Sequence, residues 1–362
     1  MSIAPPVGRQ VKVIRKQGVT WNTEPTGEYT IWNITEDGLG FTQNLDDIEE
    51  SNSTWVKDAD VGIHSASFTP KETLRFDNIA GLMLCMGTAN YLDVTASNAG
   101  KGDYIHQNMP DEDITGFFEA IGIQKGSLIQ TLHSAKYRGF TIAGQPDPQR
   151  VEISYDTLVS RLNNASTVNT AAAFTGATAE PTGNGDRGFF RNLTVRLADQ
   201  CAGTALASGD EITDLISGFE FIFGRDLTEE QDNSSGLYIA EPDENGYPTA
   251  TLRLNFKGLT SIGDTAITNL FDNTAKMFDL EIVGNAASTA TGTVDLAKLY
   301  IEAPRAKIIE SEPGAYAGPG RLPSSVLLKL YAPDTTSDAE DMDFDEPFRL
   351  TVINNQVAKV IS

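Results

Sequence analysis

The sequence is poor in cysteine, histidine and basic residues, and each shortage excludes a class of protein. Its 362 residues include two cysteines and three histidines. Two thiols are too few for a disulfide framework, and the widely separated histidines offer no zinc-ligand spacing. Lysine and arginine total 27 against 50 acidic residues, a formal charge of -23 at pH 7. Because binding to DNA or to anionic membranes needs a cationic surface, this composition argues against both.

Long apolar runs are also missing. No segment approaches the ~18 apolar residues that span a bilayer, and the chain does not open with the charged and apolar regions of a signal peptide. We therefore expect a protein that is made and used without secretion or membrane insertion. Cys85 lies within the apolar face of a predicted helix and is expected to be a buried, reduced thiol.

Glycine spacing alone suggests a nucleotide site, but its context does not. Gly183, Gly185 and Gly188 match the spacing of a dinucleotide-binding fingerprint. That motif needs a strand before it and a helix after it, so that backbone amides point at a pyrophosphate. Here a loop rich in alanine and threonine precedes the glycines and a strand-like segment follows them. The sequence therefore predicts no nucleotide cofactor.

Carboxylates are abundant but do not form a recognisable site. Asp341, Asp343 and Asp345 resemble the start of a calcium loop, yet Glu346 stands where the tight turn needs glycine and Val352 where the bidentate glutamate belongs. A weak cation site near these aspartates and a glycosidase-like carboxylate pair are left open. Without a nucleophile elbow or a paired-histidine zinc motif, we expect neither a bound metal nor enzymatic activity.

One unusual block of sequence occurs twice, about half a chain apart. In the first copy, the alternating residues 64–76 lead into the apolar residues 79–86. In the second copy, Thr249–Phe256 leads through a polar turn and an apolar segment at 267–271 to the strand-like residues 277–283. Each copy is predicted as strand, capped helix and strand. Self-similarity on this scale predicts two copies of one folding unit that meet across a shared surface.

The helix of the first copy has specific signals. Asp77 or Asn78 is the expected N-terminal cap, and Gly87 is the expected left-handed stop. Four apolar residues between them recur at the spacing of one helical face: Ile79, Leu82, Met83 and Met86. The pattern predicts a short helix that lies with one face on a sheet.

Alternating residues predict strands through most of the remaining chain, so the fold class is mainly β. Residues 111–123 fit either a short helix or a loop. The small, polar residues 163–188 mark either a boundary between two units, 1–187 and 188–362, or a long loop that reaches a neighbour. The predicted strands are residues 128–133, 139–143, 151–162, 189–198, 216–223, 298–302, 306–310, 326–331 and 348–353.

The order of segments in the last third resembles a known family. The strings are GYPTATLRLNF, LEIVG, LYIEAPRAKII, GPGRLPSSVLLKLYAP and FRLTVINN. In this order they resemble the tail tube proteins of long-tailed, siphovirus-like bacteriophages. The first half is similar in the block SFTPKETLRFDNIAGLMLCMG and the run KYRGFTIAG. The resemblance covers most of the chain as an order of elements and is most specific between residues 249 and 357.

The resemblance implies a duplicated β-sandwich or barrel-like module with short flanking α-helices, which assembles into stacked rings. The rings form a hollow tube in the virion tail, assembled in the host cytoplasm, and genomic DNA passes through its lumen without specific binding. Since the module occurs twice, we expect three chains per ring with pseudo-sixfold symmetry; six chains per ring is the alternative. Tape measure, terminator and distal tail proteins are the expected partners.

The strands at 64–76 and 249–256 are expected to line a net negative bore. Two acidic segments, 44–60 and 226–245, are expected to be exposed, and a basic arm opens the chain. We expect the arm and the acidic segments to meet between rings. The candidate contact residues are Arg9, Lys12, Arg15, Lys16, Asp46, Asp47, Glu49, Glu50, Glu229 and Glu230.

Two other functions fit a β protein without catalytic motifs. The first is a non-enzymatic host- or carbohydrate-binding module of a virion fibre or decoration protein. The second is a phage-associated hydrolase. Ring or tube formation would favour the tail tube over both.

Overall fold

The computed structural model of the chain is mainly β, as the alternating patterns predict, and its strands form one large antiparallel sheet that does not close on itself. The described residues are 11–47, 59–87, 92–95, 104–163, 171–178, 187–200, 206–212, 216–229, 238–258, 270–286, 296–312, 324–333, 342 and 344–354.

Most of the described residues lie in strands, and the few helices are short. In chain order the elements are β1 (Val11–Gln17), β2 (Thr30–Trp32), β3 (Gly40–Asp47), β4 (Ala59–Phe68), β5 (Lys71–Thr73), α1 (Ala80–Met86), β6 (Leu92–Thr95), β7 (Tyr104–Asn108), β8 (Glu119–Lys125), β9 (Leu128–Gly144), β10 (Val151–Val159), β11 (Leu162–Asn163), α2 (Ala171–Gly176), a 3₁₀ turn (Phe190–Asn192), β12 (Leu193–Asp199), a 3₁₀ turn (Ser208–Asp210), β13 (Ile216–Gly224), β14 (Thr249–Phe256), β15 (Ala275–Ala286), β16 (Leu296–Glu312), β17 (Ser324–Leu330) and β18 (Arg349–Asn354).

The strand pairing follows the same plan in both halves of the chain. In the first half, β8 pairs with β1 and β9, β9 pairs with β10, and β10 pairs with β4 and β5. In the second half, β15 pairs with β12 and β16, β16 pairs with β17, and β17 pairs with β14. A helix follows β5, and a helical turn at residues 270–272 follows β14. One antiparallel arrangement therefore occurs twice in the same sequence order.

Two long strands connect the layers of each half. β9 and β16 are each 17 residues long. The first part of β9 pairs with β8 and β11, and its last part pairs with β10. In the same way, the first part of β16 pairs with β15 and β18, and its last part pairs with β17. In the first half, the ring of Trp32 on β2 lies 6.0 Å from those of Phe68 and Tyr155 on β4 and β10. The β1–β2–β8 layer thus packs against the β4–β10 layer as a sandwich.

The two halves share one sheet and one core. The last part of β9 pairs with β13, from Phe219 opposite Gly144 to Gly224 opposite Gly139. A second pairing joins β7 to β18. The ring of Phe221 lies between those of the first and second halves, 6.1 Å from Phe140 and 5.2 Å from Phe348. Among the described residues, the two halves are therefore not separated by a gap in the hydrophobic core.

Glycine is required where the halves meet. A Cβ atom built on Gly139 would lie 2.4 Å from the carbonyl oxygen of Phe223, closer than any side chain tolerates. Gly224 stands directly opposite Gly139 in the register. The absence of a side chain at Gly139 lets the two backbones approach and pair, whereas a Cβ atom at Gly224 would lie 3.9 Å from the Thr249 hydroxyl and would be tolerated.

Helix α1 forms where the apolar spacing predicts it, but its environment differs from the prediction. Residues 81–86 are all buried, so the helix is covered on every side and does not rest on a sheet with one face. Its N-cap residue is Ile79, which makes no side-chain capping bond, and the Asn78 side chain bonds to other core groups instead of capping the helix. Gly87 has a φ of 89°, the left-handed stop that the sequence predicts.

The C-terminal end of α1 is held by a buried arginine from the second half. Arg225 Nε donates to the Cys85 carbonyl at 2.9 Å, and Nη2 donates to the Met86 carbonyl at 3.2 Å. Its Nη1 bonds to Glu244 at 3.0 Å, and the Arg225 side chain is fully buried. A cation at this end satisfies the last carbonyls and the negative end of the helix dipole. Cys85 is a free, buried thiol, as predicted, and burial raises its pKa.

The described parts of the acidic segment 226–245, residues 226–229 and 238–245, are not the exposed excursion that the composition predicts. Leu227 and Ile239 are buried against Ile114 and Leu158. Glu241 also binds the first half, with Lys136 Nζ 2.9 Å from its Oε1. The apolar residues were outnumbered by acids in the sequence, yet they anchor the segment. The other acidic segment, 44–60, enters and leaves through the β3–β4 hairpin, and residues 48–58 lie outside the described residues.

Two further ambiguous segments are resolved by packing. Residues 111–123 form no helix; they make a turn that runs into β8. Within 163–188, α2 packs on the first half through Phe174, which is buried against Ile14, Tyr29 and Ala120. Thr178 also exchanges backbone hydrogen bonds with the Tyr29 strand. The described part of this segment therefore covers its own half and does not extend towards a neighbour.

The capping arginine gives a test of how the halves are held together. We expect Arg225→Met to lower the free energy of unfolding by about 3 kcal/mol or more, because it leaves Glu244 and two helix carbonyls without their cation. The matched control is Arg253→Met, which breaks the part-exposed pair with Glu310 and should cost at most about 1 kcal/mol. Urea unfolding followed by tryptophan fluorescence measures both. Equal losses in the two variants would contradict this role of Arg225.

Candidate functional site

The main candidate site is a surface to which both halves contribute. We call it the shared face: the outward side chains of β5, β10, the last part of β9, β13, β14, β17 and the last part of β16, which pair in that order. Alternate residues of each strand point away from the core, as the β14 burial pattern shows. One row crosses all seven strands: Lys71, Ser154, Thr141, Ile222, Thr251, Lys329 and Lys307.

The charges of the shared face are balanced and largely paired. Lys71 Nζ lies 2.6 Å from Glu36 Oε2, and this hydrogen bond is the main cause of the raised pKa of Lys71. Arg253 Nη1 lies 3.2 Å from Glu310 Oε1. Arg138–Asp156 and Arg150–Glu152 pairs complete the pattern. The six cations are Lys71, Arg138, Arg150, Arg253, Lys307 and Lys329, and the six carboxylates are Glu36, Glu152, Asp156, Glu220, Glu310 and Glu312.

This balance bears on the expected negative bore. The strands at 64–76 and 249–256 contribute the cations Lys71 and Arg253 to the shared face, and Glu36 and Glu310 from neighbouring segments neutralise them. The net charge of -23 is therefore carried elsewhere on the chain. A face with equal numbers of both signs has no continuous track of cations for a phosphate backbone.

A second ordered array of charges lies on the back layer of the second half. Arg196, Asp279, Glu302 and Arg349 stand opposite one another on β12, β15, β16 and β18. Arg349 holds Glu302 with two bonds, of 2.9 and 3.1 Å. Burial raises the pKa of Asp279 despite the opposing effect of Arg196, whereas the hydrogen bond to Asp279 raises the pKa of Arg196. The ladder fixes the register of four strands.

A buried polar cluster lies inside the first half. Glu72 Oε1 accepts a bond of 2.6 Å from Tyr155 Oη, and its Oε2 accepts one of 2.8 Å from Trp32 Nε1. Tyr137 Oη donates to Glu119. Glu72 lies in the alternating segment 64–76 and Glu119 in the segment 111–123, which fitted either a helix or a loop, and no spacing in the sequence connects the two carboxylates.

Arg15 completes this cluster and corrects one of the predicted contacts. The basic residues near the start of the chain predict an exposed arm that includes Arg15. Instead, Arg15 is buried in β1, bonds to the Asn78 amide oxygen and lies 4.6 Å from the Trp32 ring. Its charge also opposes the effect of burial on Glu119, whose pKa is nevertheless raised because desolvation is the larger cause. Arg15 is therefore a core cation and is not available for contacts between rings.

The cluster is closed to a substrate in this conformation. Glu72 and Glu119 expose 1% and 2% of their surface. Burial raises the pKa values of Tyr137 and Tyr155 well above the ordinary range, so both hydroxyls stay protonated as donors. These hydrogen bonds hold β1, β2 and β8 against β5 and β10. The cluster is therefore better suited to a structural role than to proton transfer to a ligand.

The other predicted contact residues are scattered. Lys12 is exposed on β1, whereas the Lys16 ammonium donates to the Thr26 carbonyl and lies 6.0 Å from the Tyr29 ring. Asp46 and Asp47 belong to β3, and Glu229 is exposed after β13. Arg9, Glu49, Glu50 and Glu230 lie outside the described residues. Whether these groups meet between copies stays a prediction.

No protein-family model and no curated protein matches the chain. In the part of the chain that the structure describes, no group of three or more histidine, cysteine, aspartate or glutamate side chains is placed to hold a metal ion. Asp341 and Asp343, of the calcium-like motif, are not among the described residues. Likewise, none of the described helices is long and apolar enough to cross a membrane.

The raised pKa of Glu119 predicts a pH effect. An acid that binds its proton more tightly in the folded state stabilises the fold at low pH, and this contribution is lost as pH rises from the unfolded-state pKa through the folded-state pKa. Compared with Glu119→Gln, the wild type should therefore gain free energy of unfolding as pH falls from 7 towards the ordinary glutamate range. Urea unfolding at a series of pH values measures the difference.

The control for Glu119 is Glu152→Gln, which removes a carboxylate from the exposed shared face. Its difference from the wild type should change much less over the same pH series. A pH dependence of equal size in both variants would mean that burial of Glu119 is not its cause.

The position of β1 predicts how far the N-terminal end can be shortened. Pairing of β1 with β8 begins at Val11, so removal of residues 1–10 should leave the melting temperature nearly unchanged. Removal of residues 1–16 takes away buried Val13, Ile14 and Arg15, and each buried aliphatic side chain contributes about 1.5–3 kcal/mol. We expect this second variant to lose the folded signal in circular dichroism and calorimetry. A cooperative wild-type transition after removal of residues 1–16 would contradict the placement of β1.

Proposed function

We propose that this chain is a structural, non-catalytic protein that closes into rings, and that the rings stack into the hollow tail tube of a long-tailed bacteriophage. The observation that carries this proposal is the repeated strand arrangement whose two copies join edge to edge through β9 and β13. The resemblance of residues 249–357 to tail tube proteins supports the same reading.

The relation between the two copies supports assembly into a ring. The first copy offers an edge of β9, and the second meets it with β13, so the contact is head to tail and uses two different surfaces. A head-to-tail relation that is repeated from chain to chain generates a closed ring or an open helix. A closed ring leaves no sheet edge exposed, which removes the usual route to uncontrolled aggregation.

The number of copies per chain sets the expected stoichiometry. With two similar units in each chain, three chains supply six similar positions around a ring. We therefore propose a trimeric ring with pseudo-sixfold symmetry, and a ring of six chains is the alternative. Stacking of such rings extends the shared face along the tube.

The shared face is the proposed wall of the lumen. Small polar residues such as Ser154, Thr141 and Thr251 alternate there with paired charges. Such a surface has no excess of cations to bind phosphate, so a duplex can slide along it without releasing counterions. Conduction of genomic DNA during ejection follows from this arrangement.

The proposal also sets a location and partners. The protein belongs to the virion tail, is assembled in the host cytoplasm, and meets a tape measure protein within the lumen and terminator and distal tail proteins at its ends. These partners follow from the role of a tail tube.

Mass measurement and imaging of the purified full-length chain test the function. Native mass spectrometry should give complexes of three chains, and negative-stain class averages should show rings or tubes with sixfold appearance. Complexes of six chains would keep the tube and exclude the trimer. A stable monomer whose melting temperature rises with added oligosaccharide would overturn the proposal in favour of a binding module.

A further inference from the structure

The junction inside the chain specifies which edges are used between chains. Residues 139–144 of β9 pair with Phe219–Gly224 of β13. β13 lies on the same side of β9 as β8 and begins where the pairing with β8 has ended. If the second half carries a strand equivalent to β9 and the first half one equivalent to β13, the same contact can be made by two separate copies. Both equivalents can be identified from the strand pairing.

The equivalent of β9 is β16. It has the same length, the same division between two layers and corresponding partners in β15 and β17. Its pairing with β15 extends no further than Lys307, so among the described residues 308–312 pair with β17 on one side and have no strand on the other. This is the side on which β9 receives β13.

The equivalent of β13 is the segment 34–40. β13 lies beside β14 with Glu220 opposite Arg253, and the segment lies beside β5 with Glu36 opposite Lys71. An acid–base pair thus occupies the same place in both halves. Within the described part of the chain, the outer edge of residues 34–40 pairs with no strand.

Glycine marks the corresponding point at both junctions. Gly224 lies opposite the start of β14, and Gly40 lies opposite Ser67 near the end of β4, the corresponding place in the first half. A Cβ atom at Gly224 would lie 3.9 Å from the Thr249 hydroxyl, and one at Gly40 would lie 2.7 Å from the Ser67 hydroxyl of its own chain. Both segments therefore lack a side chain at the same place beside their own neighbouring strand.

We propose that residues 34–40 of one copy add as an antiparallel strand to residues 308–312 of β16 in the next copy, so that the shared face continues from chain to chain. The inference rests on the proposed ring and names the two edges that close it.

Side chains at the two edges suit this pairing. Ile309, at a register shift of β16, is 44% exposed, an unusual position for a large aliphatic residue in a strand. Leu39 lies half-buried on the opposing segment. Contact between the edges would remove apolar surface from water on both sides. Two of the nearby acids already have a cation, Glu36 with Lys71 and Glu310 with Arg253, and Glu312 accepts a hydrogen bond from Ser325 Oγ.

A lysine at the proposed edge tests the contact. Lysine is a residue that natural proteins use to block edge pairing. Ile309→Lys should reduce the ring fraction in native mass spectrometry at least tenfold and leave the monomer with an unchanged circular dichroism spectrum. The matched control is Ile222→Lys, since Ile222 is 39% exposed on the same face but lies on β13, a strand paired on both sides. Wild-type ring yield from Ile309→Lys would overturn the proposal.

Cross-linking tests the register and separates two kinds of failure. In a Cys201→Ser background, Glu36→Cys with Glu312→Cys should give chain-to-chain products with a bismaleimide of about 8 Å, which also spans diagonal neighbours. The control combines Glu36→Cys with Tyr247→Cys. Tyr247 is 94% exposed and lies away from the edge, so the reagent should leave this variant as single chains. Rings without cross-links would overturn the edge assignment alone. A wild-type protein that forms no rings would overturn the proposed function with it.

Discussion

The backbone hydrogen bonds between β9 and β13 are the interaction on which the architecture depends. They turn two similar units into one continuous sheet, and they are possible because Gly139 has no side chain to meet the Phe223 carbonyl. Without this pairing each half would present an unpaired strand edge and an incompletely covered core. The same bonds align the outward residues of seven strands, so the surface available for function is a product of the junction and belongs to neither half alone.

The sequence predicted elements whose signals are local. β14 has the predicted bounds, because strict alternation over Thr249–Phe256 matches a sheet with one buried face. β9 was predicted as two strands, residues 128–133 and 139–143; pairing with β8 and β10 keeps it continuous between them. Arg15 was assigned to the surface because charge usually lies there. Its partners, Trp32 and Asn78, come from other elements, and no spacing rule connects them to it.

The two halves fill their interiors differently. The first buries Glu72, Glu119 and Arg15 in a hydrogen-bonded cluster, whereas β14 and β17 of the second bury aliphatic residues such as Leu254 and Leu328 in the corresponding strands. Apolar packing tolerates exchange of side chains, but a polar cluster accepts only groups that satisfy its donors and acceptors. Exchange of strands between the two halves would therefore leave buried polar groups without their partners. The difference also explains why the repeat is visible in strand order more readily than in side chains.

The pairing of β7 with β18 has a consequence for the timing of synthesis. β7 pairs with β6, which is close to it in sequence, but its second partner, residues 350–354, is synthesised much later. Contacts so distant along the chain form late. The first half therefore cannot complete its fold on a nascent or prematurely ended polypeptide. A polypeptide that ends before residue 350 lacks the strand that covers the second edge of β7.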